Sequence, residues 1–186
     1  MNLSRAQIFI LALCVPSISI LAQLTDGKNY RVDFVDVDGN ARSTSNGHII
    51  TVVLTNQSNT DKARAVGDNT PEFCLGNSSY RMITVVAFDK PHSKPVRMIM
   101  TSLMRRRLDS EARRLQSRYD QLKITRNARQ DVSAVADFDG AVTTRLGLKP
   151  DAALFRVFVF GRNGELLKQW NDVPKPEELA VVLKQN

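Results

Sequence analysis

Few side chains in this 186-residue chain have the chemistry to react, and most of them stand apart from one another. There are two cysteines, Cys14 and Cys74, and two histidines, His48 and His92. Cys14 falls within an apolar N-terminal stretch, so Cys74 is the one thiol of the remaining chain. That excludes a disulfide framework and a multi-cysteine zinc site. A nucleophilic thiolate needs a neighbouring cation or a helix N-terminus to lower its pKa. No Lys, Arg or His lies within four residues of Cys74. It therefore reads as a small buried apolar residue, the usual state of a free cysteine. The competing reading is a redox site that works through Cys74 and a partner thiol.

Residues 56–62 (NQSNTDK) form a polar run between an apolar segment and a helical one. Ser58, Asn59 or Thr60 is expected to cap the helix by accepting its first N–H groups. The same loop suits a polar or anionic ligand, held by Asn56, Ser58, Asn59 and the Lys62 ammonium. Met98, Met100 and Met104, with His92 nearby, are the one arrangement that invites soft copper coordination. Met98 and Met100 project from different faces of a helix, and Met104 continues an apolar stripe, so packing is the expected use and no metal or cofactor is expected. His48 and His92 have no spaced Cys, Asp or Glu partners. Asp137 and Asp139 read as loop or cap residues before Gly140. No Ser-His-Asp spacing, phosphate loop or paired-carboxylate site stands out.

Charge is the strongest anomaly. The chain has 26 Lys+Arg against 19 Asp+Glu, and residues 97–129 alone hold ten Lys/Arg against Asp109, Glu111 and Asp120. The patch Arg105, Arg106, Arg107, Arg113, Arg114 and Arg118 is suited to an acidic protein or an anionic envelope component. Pairs at i,i+4, Asp109–Arg113 and Arg107–Glu111, are expected to soften it. The only aromatic among the arginines is Tyr119, on the apolar stripe, so base stacking and a genomic target are not expected.

These residues need a scaffold, and the hydrophobic pattern supplies one. Residues 30–37 alternate, turn at Asp38-Gly39 and return over 40–45, a hairpin. Residues 48–55, 81–88 and 154–160 are apolar, β-branched runs of buried strands. A helix interrupted by Gly67 and Pro71 is expected over 60–74. The spacing predicts a long helix over 98–123, with Met104, Leu108, Ala112, Leu115, Tyr119 and Leu122 on one stripe. Residues 132–138 form a short segment and 141–146 a helical turn. A hairpin at Asn163-Gly164 leads into 165–170, and a helix over 174–185 closes the chain. Strands alternating with helices imply an α/β protein with a mixed central sheet flanked by helices and an N-terminal β-hairpin extension. Residues 1–22 have the layout of a signal peptide: Arg5, an apolar run over 8–15, Pro16, and small residues up to Ala22. The apolar stretch is short of the ~20 residues a spanning helix needs. The expectation is an exported chain, periplasmic or secreted, with residues 23–186 as a single domain and no transmembrane segment after the leader.

Three stretches, 36–55, 146–170 and 173–185, together resemble the thioredoxin superfamily. More narrowly, they are similar to exported redoxins of the alkyl hydroperoxide reductase/thiol-specific antioxidant kind. The resemblance implies a thioredoxin-like fold. In that family a nucleophilic cysteine, often in Cys-x-x-Cys, sits where the first central strand turns into a helix, facing a cis-proline before the late strand. Here Asn59 and Lys62 stand about where the cysteines would fall, and Phe155 or Arg156 where the proline would. None of these side chains exchanges a disulfide. The expected role is binding or assembly in the cell envelope, through residues 56–62 with Phe155 and Arg156, or through the basic helix.

Overall fold

A computed structural model describes residues 23–149 and 154–185. The expected leader and Pro150 lie outside the described residues.

β3 (Ile49–Thr55) is buried at every position, as an apolar run without alternation requires of a strand covered on both faces. β4 (Tyr80–Ala87) runs parallel to it on one side and β6 (Phe155–Phe160) antiparallel on the other, so Val53 lies between Thr84 and Val157. β5 (Val132–Asp137) adds parallel to β4, and β7 (Leu166–Trp170) antiparallel to β6, giving the order β5-β4-β3-β6-β7. β1 (Asp33–Val35) and β2 (Ala41–Ser43) form a separate two-stranded ribbon, shorter than the predicted hairpin over 30–45. The ladder stops at Asp36 because its carboxylate turns inward. It accepts from the N–H groups of Asp38 and Asn40 at 3.0 and 2.8 Å and from Arg42 Nε at 3.0 Å. The Val37 N–H then donates to the Ala134 carbonyl at 2.8 Å, docking the ribbon on β5.

Two parallel crossovers step in the same direction, through α1 (Thr60–Asp68) from β3 to β4 and α2 (Lys94–Gln121) from β4 to β5. Right-handed connection places both helices on one face of the sheet. α4 (Pro176–Lys184) joins them there, with Leu179 and Leu183 packed among Ile49, Val53, Ala63 and Val66. The opposite face packs Ile50, Val52 and Leu54 against Phe34 of the ribbon and against Val142 and Leu146 at α3 (Ala141–Arg145).

The structure corrects the sequence at three points. The helix expected over 60–74 ends at Asp68, where the Asn69 N–H closes on Ala65, and Glu72–Cys74 is a separate 3₁₀ turn after Pro71. α2 starts earlier than 98 because Pro95 occupies its first turn, where a missing N–H is harmless. The predicted stripe on α2 is only partly core: Ala112 and Tyr119 are buried, Met104, Leu108 and Leu115 are half-buried, and Leu122 is exposed.

Candidate functional site

The start of α1 is where β3 hands the chain to a helix, and it is built from local hydrogen bonds. The sequence assigns the cap to Ser58, Asn59 or Thr60, but the capping acceptor is Asn56. Its Oδ1 accepts from the N–H groups of Ser58 at 3.0 Å and Asn59 at 3.1 Å. Asn56 wins because the chain leaves β3 extended there and makes a 3₁₀ turn, Gln57–Asn59, before α1 proper. Asn59 is thereby freed from capping, and its Nδ2 donates to the Leu154 carbonyl at 3.3 Å, just before β6. Lys62, one turn further on, pairs with Asp172 at 3.0 Å and lies 5.5 Å from the centre of the Phe155 ring. Its hydrogen bond holds the Asp172 carboxyl below the usual carboxylate range. Arg156 donates to the Asn171 side chain.

Asn56, Asn59, Lys62 and Phe155 therefore converge at one end of the sheet, with Arg156 beside them and Ser58 exposed at the edge. Sequence reasoning did not identify Leu154, Asn171 and Asp172, which close the site from the far end of the chain. A carbonyl acceptor has no residue-type signal, Asp172 lies 110 positions from the Lys62 it meets, and Asn171 meets Arg156 from just past the adjoining strand.

Cys74 is 7% exposed and sits in the core shared by Ile49, Val53, Val66 and Leu179. Burial pushes its thiol up to about 12, so almost no thiolate is present at neutral pH. It lies on the 3₁₀ turn beyond α1, away from the Asn59 end.

The arginines of α2 divide into two groups. Arg105 donates to the Val37 carbonyl at 2.6 Å. Arg114 pairs with Asp68 at 2.6 Å and Glu111 at 3.1 Å. Arg118 reaches the carbonyls of Asp68 and Thr70. Arg106, Arg107 and Arg113 are exposed and make no ion pair among the described residues. The expected pairs Arg107–Glu111 and Asp109–Arg113 do not form. Glu111 is taken by Arg64 of α1 at 2.5 Å, and Asp109 by Arg129 at 2.8 Å. Fixed partners on packed elements outcompete flexible pairs along one helix face.

No protein-family model matches the chain, and no curated protein matches it. Solved structures do match in fold. A peroxiredoxin-like protein from Aquifex aeolicus superposes with a TM-score of 0.53 at 13% identity, covering 89% of this chain and 90% of that one. The exposed lipoprotein thioredoxin Etrx1 of Streptococcus pneumoniae gives 0.52 at 12% identity, over 84% and 99% of the two chains. A secreted thiol-disulfide isomerase from Corynebacterium glutamicum gives 0.52 at 9% identity, over 91% and 92%. The chain is an α/β protein of the thioredoxin-like fold without a close cysteine pair. Identities this low establish the fold alone.

Proposed function

We propose that this is an exported member of the redoxin branch that has given up thiol chemistry and works by binding or assembly in the cell envelope. The observation that carries the reading is the filled start of α1. An amide and an ammonium stand about where the redoxin resemblance would place sulfur, and both are tied to their own chain by Leu154, Phe155 and Asp172. The redoxin assignment is supported by the ribbon β1-β2 ahead of the sheet and by the order β5-β4-β3-β6-β7. Export is supported by the layout of residues 1–22 and by neighbours described as exposed or secreted. No helix among the described residues is long and apolar enough to cross a membrane.

The binding surface in this reading is Asn56, Ser58, Asn59 and Lys62 with Phe155 and Arg156, and its partner is a protein or an anionic envelope component. The rival through Cys74 needs an accessible thiolate, which burial opposes. A basic-helix interaction has a specific observation in its favour: Arg106, Arg107 and Arg113 are exposed and unpaired among the described residues. It predicts retention on an anionic resin that falls steeply with salt and drops in an Arg106→Gln/Arg107→Gln variant.

The deciding experiment is capture of partners from the native envelope in parallel with trapping of mixed disulfides. The expected result is a partner retained by wild type and Cys74→Ala alike, and lost in Asn59→Asp/Lys62→Glu. Recovery through a mixed disulfide at Cys74 overturns the reading.

A further inference from the structure

We propose that the space between α1, α2 and the sheet is a binding site for a single-chain fatty carboxylate. β4 is a central strand, yet Met82 and Thr84 on its helix-facing side remain partly open, while β3 beside it is fully buried. They form the floor of a cavity of about 880 Å³, with Ala63 and Gly67 of α1 on one wall and Met104, Leu108 and Leu115 of α2 on the other. Its size lies within the range of sites that enclose a small molecule.

The two helices are held apart by side chains that bridge them. Arg64 reaches Glu111 at 2.5 Å, Arg114 reaches Asp68 at 2.6 Å, and Arg118 reaches the Asp68 and Thr70 carbonyls. These bridges fix a separation that the half-buried stripe of α2 does not fill.

The lining and the rim point to one chemical class. Met100, Met104, Leu108 and Leu115 of α2 with Ala63 and Met82 form an apolar stretch that suits an acyl chain, and charged side chains, Arg64, Asp68, Glu111 and Arg114 among them, line the rest of the cavity. Between Met100 and Leu115 the cavity follows α2 for roughly 22 Å. A single acyl chain spans half a bilayer core, ~15 Å. Arg107 lines the same cavity, is exposed, and has no acid within ion-pair distance among the described residues. A guanidinium placed there matches a carboxylate bidentately. Leu103, 48% exposed, lines the mouth, where a chain would enter. A second copy of α2 would bring two sets of unpaired arginines together, which like-charge repulsion opposes.

The test is titration calorimetry of the chain with dodecanoate, dodecyl phosphate and dodecanol below their micellar range, alongside sedimentation without ligand. Wild type is expected to bind one dodecanoate per chain saturably. Arg107→Gln is expected to weaken dodecanoate roughly fivefold and leave dodecanol unchanged. Thr84→Phe, which fills the floor, and Leu108→Trp, which fills the wall, are each expected to abolish binding. Circular dichroism checks their folding, so either variant is sufficient if the other misfolds. Absence of saturable binding, or binding that survives both filling variants, overturns the site. Preference for dodecyl phosphate overturns the carboxylate assignment, and a ligand-free dimer that excludes dodecanoate overturns the occupant. Neither the partner at Asn59 nor the state of Cys74 enters these outcomes.

Discussion

The Asn59 amide donates to the Leu154 carbonyl at 3.3 Å, tying the start of α1 to the residue just before β6. The contact joins the two segments between which thioredoxin-fold enzymes hold their sulfur chemistry. Here it is a hydrogen bond between neutral groups, and it orders the site without making it reactive. Phe155 follows Leu154 and its ring lies 5.5 Å from the Lys62 ammonium, so one short stretch positions both Asn59 and Lys62.

That geometry predicts that a cysteine pair can be introduced here. Asn59 and Lys62 are three positions apart at a helix start, a spacing that brings their Cβ atoms to ~5–6 Å, so a disulfide, which needs about 3.5–4.5 Å, closes with a small shift of the first turn. In the double variant Asn59→Cys/Lys62→Cys, a bridge closed under oxidising conditions should be visible as two thiols protected from alkylation. The helix N-terminus should make the first of them the more reactive. Two freely alkylated thiols after oxidation would show that this end of α1 does not have the geometry of its structural neighbours.

Tyr119 is 1% exposed, and its hydroxyl is used twice. It donates to Asp131 at 2.9 Å and accepts from the Gly76 N–H at 2.9 Å. Tyr119→Phe takes the acceptor from the half-buried Gly76 N–H, while Asp131 keeps Arg126, and is expected to lower unfolding stability by about 1 kcal/mol in urea. Gly76→Ala is expected to cost more. Its φ of +67° is left-handed, and an added methyl would run into the Ile124 side chain.

The central strands were legible because they are apolar, β-branched runs, and the α/β class with a mixed sheet followed from their alternation with helices. What escaped was set by distance along the chain. Asn56 took the cap from Ser58, Asn59 and Thr60 because β3 leaves it extended. Glu111 abandoned Arg107 because Arg64, 47 residues earlier, stands opposite it. The α2 stripe read as core, but periodicity records only which face turns inward. It does not say how far the arginine bridges hold that face from the sheet.

Those bridges are half-exposed, so each is worth less than its short distances imply. Arg114→Ala removes contacts to Asp68 and Glu111 and is expected to cost no more than about 1 kcal/mol. The loss should shrink as salt rises, which urea midpoints at low and high ionic strength would reveal. A salt-independent loss of several times that size would mean the bridge sits in a drier setting than its exposure indicates.

Asp36 links the ribbon's stability to acid. Burial alone would raise its carboxyl, but the main-chain and side-chain N–H groups of Asn40 and the Arg42 guanidinium outweigh burial and hold it below 3.8. A folded pKa below the unfolded one means the stabilisation is complete above the unfolded value and is lost as pH falls through the folded one. Asp36→Asn should lower stability at neutral pH by about 2 kcal/mol. It should also flatten the decline of the urea midpoint below about pH 4. An unchanged acid limb in the variant would remove Asp36 from the cause.

The alkaline limb belongs to Cys74 and Tyr119. Both are acids whose neutral form the fold protects. Desolvation lifts the thiol from 9.0 to about 12. Burial, then the hydrogen bond to Asp131, lifts the phenol from 10.0 to about 12. With the folded pKa above the unfolded one, the unfolded chain loses its protons first. The stabilisation is therefore whole below about pH 9 and drains away as pH climbs toward the folded values. Cys74→Ala should begin slightly less stable, by about 1 kcal/mol for the small cavity it leaves. It should then lose less than wild type between about pH 9 and pH 11, so that the two stability curves converge. Parallel curves would mean that Cys74 titrates alike in both states and is open to solvent. In that case rapid alkylation of the native protein near neutral pH should follow, and the thiol would return as a candidate for chemistry.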